Sequence, residues 1–175
     1  MERARPIISG MTQTELRVLI VDDDEDMRVT LREFISGTGA WVKTASDVAD
    51  ARGILSSEPR PLDVVLTDLK LPGGSGLDVL KAAHARRKET LVTIITGYAS
   101  LETAIEAVRL GAYDYVTKPF SLEEIGVQVR NMMERVALSK ENSRLSLRLQ
   151  ELYDQLNRLQ EGRADTLRLH EEIRK

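Results

Sequence analysis

Short apolar runs and amphipathic stretches alternate along the first two-thirds of the chain. Five runs of five or six residues are rich in valine, isoleucine and leucine, which is typical of buried parallel strands. A longer stretch with apolar residues at helical spacing follows each run, as Met27, Leu31 and Phe34 do after the first. The predicted strands are Leu16–Val21, Trp41–Ala45, Leu62–Thr67, Leu91–Ile95 and Tyr113–Thr117. This alternation predicts a five-stranded parallel sheet covered by helices, a doubly wound α/β fold.

The pattern changes after the fifth predicted strand, where one long helix is expected. Ser121 and Glu124 match a capping box, and no proline interrupts the segment from Leu122 to Glu161. Such a helix would be about 60 Å long. Leucines then recur in alternating steps of four and three residues, at Leu145, Leu149, Leu152, Leu156 and Leu159. This heptad seam predicts a coiled coil and a parallel homodimer, in which Asn142 favours two strands and fixes the register. The alternative is a lone amphipathic helix that packs on a domain outside this sequence.

The patterns together divide the chain into three expected parts. Residues 1–14 form a flexible arm, residues 15–133 form the α/β domain, and residues 134–175 form the coiled-coil helix that continues the fifth helix of the domain. His84 and His170 stand on expected exposed helix faces, and neither is given a role.

Composition and charge narrow the class of protein. With 42% hydrophobic residues among 175, the chain can bury the core of one domain. Its net charge of −3 argues against direct binding of nucleic acid, which usually requires a basic face. The absence of cysteine excludes disulfides, thiolate metal sites and catalytic cysteines. No apolar run approaches the roughly 20 residues of a membrane span. We therefore expect a cytoplasmic protein without a membrane partner.

Polar residues stand at the ends of four predicted strands. Asp22 and Asp23 follow the first strand, Asp68 follows the third, Thr96 follows the fourth, and Lys118 follows the fifth. The carboxyl ends of all strands in a doubly wound sheet lie along one edge, where ligands bind. These side chains are therefore expected to converge on one pocket.

The chemistry of such a pocket suits phosphoryl transfer. Clustered carboxylates repel one another without a counter-ion, and Mg²⁺ typically binds one or two carboxylates together with water and phosphate oxygens. Lys118 could neutralise the other side of a phosphoryl group, and Thr96 could donate a hydrogen bond to it. Taken singly, each feature has an ordinary explanation as a helix cap or a turn residue. Their combination, in this order, favours phosphoryl transfer onto a carboxylate.

The same residues resemble the receiver domain (CheY-like) of bacterial two-component response regulators. The resemblance covers the chain from about Arg17 to Met133. It implies a flavodoxin-like sheet in the strand order 2-1-3-4-5. The motifs that carry it are L-I-V-D-D-D-E-D-M-R at 19–28, V-V-L-T-D-L-K-L-P-G-G-S-G at 64–76, I-I-T-G-Y-A at 94–99 and G-A-Y-D-Y-V-T-K-P-F at 111–120.

The resemblance implies roles for the acidic residues. Asp68 would be the phospho-acceptor, and a sensor histidine kinase would be the donor. Asp23 would bind Mg²⁺ directly and Asp22 through water. Asp68 would bind the metal as well, and the backbone carbonyl of Lys70 would be the third protein ligand. Asp24 is an additional acid that we do not expect to bind the metal.

The resemblance also implies a switch. Thr96 and Lys118 match the hydroxyl and the ammonium of the family, Tyr115 matches its switch aromatic, and the Lys118–Pro119 peptide would be cis. Phosphorylation would shift populations between two shapes of the face made by helix four, strand five and helix five. Tyr98, two residues after Thr96, is expected to flank the path of hydrolytic water and to slow self-dephosphorylation.

Other functions remain open at the level of sequence. A receiver followed by a coiled coil is similar to the front part of enhancer-binding transcription activators, although no P-loop or helix-turn-helix motif follows residue 120. A Mg²⁺-dependent phosphohydrolase with an aspartyl-phosphate intermediate would usually carry a second acid two residues after the nucleophile, where this chain has Lys70. A receiver-like dimeric scaffold that is never phosphorylated is a third possibility. We expect a phospho-acceptor switch rather than an enzyme.

Overall fold

The computed structural model describes residues 16–173, and the side chains of residues 16–160. The arm predicted over residues 1–14 lies outside the described residues. The chain divides into two units, one ending at Glu134 and the other beginning at Arg135. This division falls inside one continuous helix, Leu122–Ile173, which is longer than the predicted segment.

The first unit is built on the predicted doubly wound α/β sheet. Its strands, numbered along the chain, are β1 Arg17–Val21, β2 Trp41–Ala45, β3 Val64–Thr67, β4 Leu91–Thr96 and β5 Asp114–Thr117. The helices are α1 Glu25–Ser36, α2 Val48–Ser57, α3 Gly76–Arg86, α4 Leu101–Arg109 and α5 Leu122–Ile173. The strands are parallel in the order β2-β1-β3-β4-β5, which confirms the predicted topology.

The register of the sheet brings the strand ends to one level. Val21 at the end of β1 pairs with Thr67 at the end of β3, and Thr96 at the end of β4 pairs with Thr117 at the end of β5. The residues that follow these strands therefore start from the same edge of the sheet. β1 and β3 are buried along their whole length, because helices cover both of their faces.

A short hairpin lies between β3 and α3. Lys70–Leu71 pairs antiparallel with Gly74–Ser75. Gly73, in the turn, has a φ of 78°, a conformation that favours glycine. Each strand has only two residues, too few for an alternating pattern to appear in the sequence.

The helices begin with polar caps and bury their apolar faces. Asp24, Asp47, Ser75 and Ser100 cap α1 to α4. At the start of α5, Ser121 donates its amide to Glu124 and accepts from the amide of Glu124, which confirms the predicted capping box. The first turns of α5 bury Ile125, Val129 and Met132.

One histidine departs from expectation. His84 was expected on an exposed helix face, but it is half-buried, and its Nε2 lies 3.1 Å from the carbonyl oxygen of Thr90. The side chain of His170 lies outside the described side chains.

The second unit is the remainder of α5, and the leucines among its described side chains are exposed. The exposed fraction is about half or more for Leu145, Leu149, Leu152, Leu156 and Leu159. Leu138 and Leu147 are exposed to a similar degree. Within the described part of the chain, no helix combines the length and the apolar character needed to cross a membrane.

Candidate functional site

Three carboxylates meet at the carboxyl edge of the sheet. Asp22 and Asp23 directly follow β1, and Asp68 directly follows β3, where its amide donates to the carbonyl of Val21 at 2.8 Å. Each carboxylate offers one oxygen, and these oxygens all lie within 4.8 Å of one another. Asp22 and Asp68 are buried, whereas Asp23 is exposed. The site therefore combines two shielded anions with one that solvent and a ligand can reach.

Lys118 supplies the positive charge of the cluster. Its Nζ lies 2.7 Å from Asp22 Oδ2 and 2.7 Å from Asp68 Oδ2. Burial alone would lower the pKa of the Lys118 ammonium, but the hydrogen bonds and the charges of the two carboxylates outweigh it and raise the pKa above its ordinary value. The Lys118–Pro119 peptide is cis, as the resemblance implied. Lys118 therefore stays protonated throughout the physiological pH range, with its ammonium between the side chains of Asp22 and Asp68.

The backbone around Asp68 is held by close contacts. The amide of Lys70 donates to Asp68 Oδ1 at 3.1 Å, and the hydroxyl of Thr67 donates to the carbonyl of Asp68 at 3.0 Å. A Cβ atom on Gly76 would lie 2.2 Å from the carbonyl oxygen of Asp68. Only glycine therefore fits at position 76, a requirement that the sequence pattern alone did not reveal.

The position of Asp22 is fixed by the start of α1. The amide of Asp24 donates to Asp22 Oδ1 at 3.0 Å, and Arg28 Nη1 donates to the carbonyl of Asp22 at 2.6 Å. Asp24 itself caps α1 by accepting from the amide of Met27 at 3.1 Å. Arg28 is the last residue of the motif at 19–28, but the sequence did not predict that it contacts the site.

Thr96 and Tyr115 are both near the site, and each hydroxyl has a partner away from the carboxylates. The fully buried Thr96 accepts from the amide of Tyr98 at 3.1 Å. The hydroxyl of Tyr115 lies 3.0 Å from the hydroxyl of Thr103 in α4. The amide of Lys118 donates to the carbonyl of Thr96 at 2.8 Å, which joins the ends of β4 and β5.

Lys70 and Tyr98 form a contact over this edge. The Nζ atom of Lys70 lies 3.2 Å from the centroid of the Tyr98 ring, a cation–π geometry. Tyr98 is 64% exposed, so the pair stands at the solvent side of the site. The hairpin after Asp68 and the loop after Thr96 are thereby connected by their side chains.

The cluster fits a hard divalent cation. All three acids offer carboxylate oxygens, the ligands that Mg²⁺ prefers in proteins. Lys118 balances only part of the charge of Asp22 and Asp68. The exposed Asp23 adds a third carboxylate to the cluster. A metal ion bound to these oxygens would remove the remaining repulsion.

The chain is similar in sequence to known response regulators. The model of the response regulator receiver domain matches residues 18–130. The response regulator protein PilR of Pseudomonas aeruginosa is 42% identical over 106 residues, which cover 61% of this chain and 23% of PilR. The C4-dicarboxylate transport transcriptional regulatory protein DctD of the same species is 32% identical over 160 residues, which cover 91% of this chain and 34% of DctD. The chain thus spans between about a quarter and a third of these relatives.

Solved structures agree with these relatives. A response regulator receiver domain protein (CheY-like) from Methanospirillum hungatei JF-1 superposes with a TM-score of 0.68 at 26% identity, covering 72% of this chain and 99% of that chain. The matched region contains all five strands and the acidic cluster. The chain therefore belongs to the response regulator receiver domain family of two-component signalling.

Proposed function

We propose that this chain is a phospho-accepting switch in which Asp68 receives a phosphoryl group from a sensor histidine kinase, with Mg²⁺ as cofactor. The observation that carries the proposal is the position of Lys118, whose ammonium lies 2.7 Å from an oxygen of Asp68 and 2.7 Å from one of Asp22. A cation in this position can stabilise a phosphoryl group that arrives with further negative charge.

In the proposed site, Mg²⁺ would be held by Asp22, Asp23 and Asp68 together with the backbone carbonyl of Lys70. The close approach of the three carboxylates supports this assignment. When bound, Mg²⁺ neutralises charge on the phosphoryl oxygens and on the carboxylates.

The proposed reaction moves one phosphoryl group. A carboxylate oxygen of Asp68 attacks the phosphorus of a phosphohistidine on the kinase. The new O–P bond forms while the P–N bond breaks, and the electron pair of that bond stays on the imidazole nitrogen. Lys118 offsets the negative charge, and the amide of Lys70, 3.1 Å from Asp68 Oδ1, holds the orientation of the carboxylate.

The switch follows from the two hydroxyls that lie near the site. In the phosphorylated state Thr96 donates its hydroxyl to a phosphoryl oxygen, and Tyr115 turns into the space that Thr96 leaves. The face made by α4, β5 and the first turns of α5 then changes shape. Phosphorylation shifts the populations of two shapes and does not create the second from nothing.

The output is proposed to pass through the helix of the second unit and not through catalytic turnover. A phosphohydrolase of this kind would usually carry a second acid two residues after the nucleophile, and that position holds Lys70, whose ammonium contacts Tyr98. The net charge of −3 makes direct binding to nucleic acid unfavourable. The name of DctD describes transcriptional regulation, and any such output is proposed to lie outside this chain.

We propose further that two copies pair in parallel along the exposed leucines of the second unit. Leu138 lies four residues before Asn142 and is 67% exposed, so the seam begins one step earlier than the sequence analysis placed it. It continues through Leu145, Leu149, Leu152, Leu156 and Leu159.

The residues that flank the seam also fit a parallel pair. In the heptad notation, Asn142, Leu149 and Leu156 are a positions, and Leu145, Leu152 and Leu159 are d positions. The residue just before each a position lies opposite the residue just after the next d position on the second helix. Glu141 then faces Ser146, Arg148 faces Tyr153, and Gln155 faces Gln160, so no like charges meet.

Two substitutions test this pairing. Leu152→Lys places a charge in the seam, whereas Leu147→Lys changes a leucine on the opposite side of the helix that is 68% exposed, against 46% for Leu152. Losing a buried leucine costs at least about 1.5 kcal/mol in each of the two helices of a dimer. Leu152→Lys should therefore raise the dissociation constant of the dimer about a hundredfold, as measured by sedimentation equilibrium. Equal effects of the two substitutions would contradict the seam. Since the chain has no cysteine, Leu145→Cys should form a disulfide with its counterpart only in a parallel dimer.

The phospho-acceptor is tested by incubating the protein with acetyl phosphate and Mg²⁺ and measuring the intact mass. One phosphoryl group should be added, and none should be added with EDTA or in Asp68→Asn. Asp47→Asn is the matched control, because it removes a carboxylate elsewhere and asparagine still caps α2. Labelling of Asp68→Asn at the wild-type rate would refute the assignment. A complete lack of labelling in the wild type, with acetyl phosphate and with kinase, would favour a scaffold.

A further inference from the structure

The hydroxyl of Tyr115 has one partner in the structure, and that partner belongs to the first turn of α4. Tyr115 Oη lies 3.0 Å from Thr103 Oγ1. Both side chains are half-buried, so water competes only partly for this bond. The bond joins β5 to α4 directly, between residues twelve positions apart in the chain.

The same threonine oxygen also completes the cap of α4. Thr103 Oγ1 donates to the carbonyl of Ser100 at 3.0 Å and accepts from the amide of Ser100 at 3.2 Å. A threonine hydroxyl has one proton and two lone pairs, so its second lone pair can accept the proton of the Tyr115 hydroxyl, 3.0 Å away, in competition with the Ser100 hydroxyl at 3.2 Å. The hydrogen-bonding capacity of Thr103 is then complete. If Tyr115 turned away, the bond from its hydroxyl would be lost, and β5 would lose this direct link to the capped first turn of α4.

α4 is anchored weakly by its other residues. Ala107 is the one fully buried residue of this helix, while Leu101 is 73% and Val108 is 70% exposed. Little apolar burial therefore fixes the position of α4. A single hydrogen bond at its first turn is consequently a substantial part of what holds the helix against β5.

We propose that Thr103 is a positioning residue for the switch: its hydroxyl holds Tyr115 in the outward orientation and couples the turn of Tyr115 to the cap of α4. This bond must then break whenever Tyr115 turns, so it favours the unswitched shape in the equilibrium between the two shapes. The inference rests on the proposed function, since it assigns a regulator to the same switch. Thr103 does not contact the carboxylates, and its effect passes through Tyr115.

The test uses the whole chain and three substitutions. Thr103→Val removes the hydroxyl, Thr103→Ser keeps it, and Ser100→Ala weakens the cap while leaving the bond to Tyr115. The rate of labelling by acetyl phosphate follows the population of the switched shape. Thr103→Val should therefore label up to about fivefold faster, the factor that corresponds to one hydrogen bond of about 1 kcal/mol. Thr103→Ser should label at the wild-type rate, and Ser100→Ala should show a smaller increase than Thr103→Val.

A second measurement observes the ring directly. The chain has four tyrosines, so 3-fluorotyrosine labelling gives four ¹⁹F resonances, and Tyr115→Phe identifies the one from Tyr115. Thr103→Val should move this resonance towards its position in the protein treated with beryllofluoride, a phosphoryl mimic. The double variant Thr103→Val/Tyr115→Phe should label no faster than either single variant, because both remove the same bond.

Three results would overturn the inference. They are an unchanged labelling rate and resonance in Thr103→Val, an equal acceleration in Ser100→Ala, or additive effects in the double variant. Failure of the proposed function looks different, because the wild type would then not be labelled at all. In that case the resonance of Tyr115 alone decides whether Thr103 holds the ring.

Discussion

The closest backbone approach in the site lies between Gly76, the first residue of α3, and Asp68. A Cβ atom at position 76 would stand 2.2 Å from the carbonyl oxygen of Asp68, 3.0 Å from its carbonyl carbon and 3.2 Å from the Cα atom of Leu69. All of these atoms belong to the backbone, so no side-chain rotation can relieve the clash. Gly76→Ala therefore displaces the phospho-acceptor without changing the chemical identity of any side chain in the cluster.

The size of the effect follows from the distances. An ordinary contact begins at about 3.4 Å, so α3 and the segment after β3 must separate by about 1.2 Å. Inserting a methyl group into a packed site costs about 1 to 3 kcal/mol of stability. A displacement of about 1 Å at a reacting group can lower a rate about a hundredfold. We expect Gly76→Ala to remain folded and to be labelled by acetyl phosphate about a hundredfold more slowly.

The assay compares labelling rates by intact mass and stability by urea denaturation. Gly53→Ala is the matched control, since Gly53 lies in the exposed face of α2 and a Cβ atom there would contact nothing within 4 Å. It should label at the wild-type rate and gain up to about 1 kcal/mol of stability, the helix preference of alanine over glycine. The reasoning is refuted if Gly76→Ala matches the wild type in both rate and stability.

Three further predictions concern other contacts. Lys118→Met leaves Asp22 and Asp68 without their cation, so it should abolish labelling and lower the free energy of unfolding by about 3 kcal/mol. Mg²⁺ should restore part of this stability, and a variant that is as stable as the wild type without Mg²⁺ would contradict the account. The pKa of Glu58 lies below its ordinary 4.5, chiefly because Lys43 donates a hydrogen bond to it, so its contribution to stability is present above pH 4.5 and is lost as pH falls through the lowered pKa. Urea denaturation of Glu58→Gln should show less acid sensitivity below that pH than the wild type does. Tyr98→Ala removes the ring under Lys70 and should shorten the lifetime of the phosphoryl group, and an unchanged lifetime would remove Tyr98 from the account.

Much of the sheet could be predicted because its signals are local. β1 and β3 are buried on both faces and so appear as continuous apolar runs, for which a parallel sheet is the consistent fold. Because the carboxyl ends of parallel strands lie along one edge of the sheet, the sequence is sufficient to predict that Asp22 and Asp68 lie close together. The predicted boundaries differ by one or two residues, as at Leu62, which precedes β3.

The remaining features depend on contacts between distant segments. The bond between Thr103 and Tyr115 joins α4 to β5, and the distance between these elements depends on how they pack. No sequence motif indicates that the two residues are in contact. The requirement for glycine at position 76 appears only when the carbonyl of Asp68 lies against α3. His84 was expected to be exposed because its helical position looked polar, yet its ring reaches the carbonyl of Thr90.

The most direct test of the central claim is to locate the phosphoryl group on the chain. The protein labelled with acetyl phosphate and Mg²⁺ is treated with borohydride, which reduces an aspartyl phosphate to homoserine, and the peptides are then sequenced by tandem mass spectrometry. The account predicts homoserine at position 68 and at no other aspartate. Homoserine at position 22 or 23 instead, or no reduction in a protein that has gained a phosphoryl group, would contradict it.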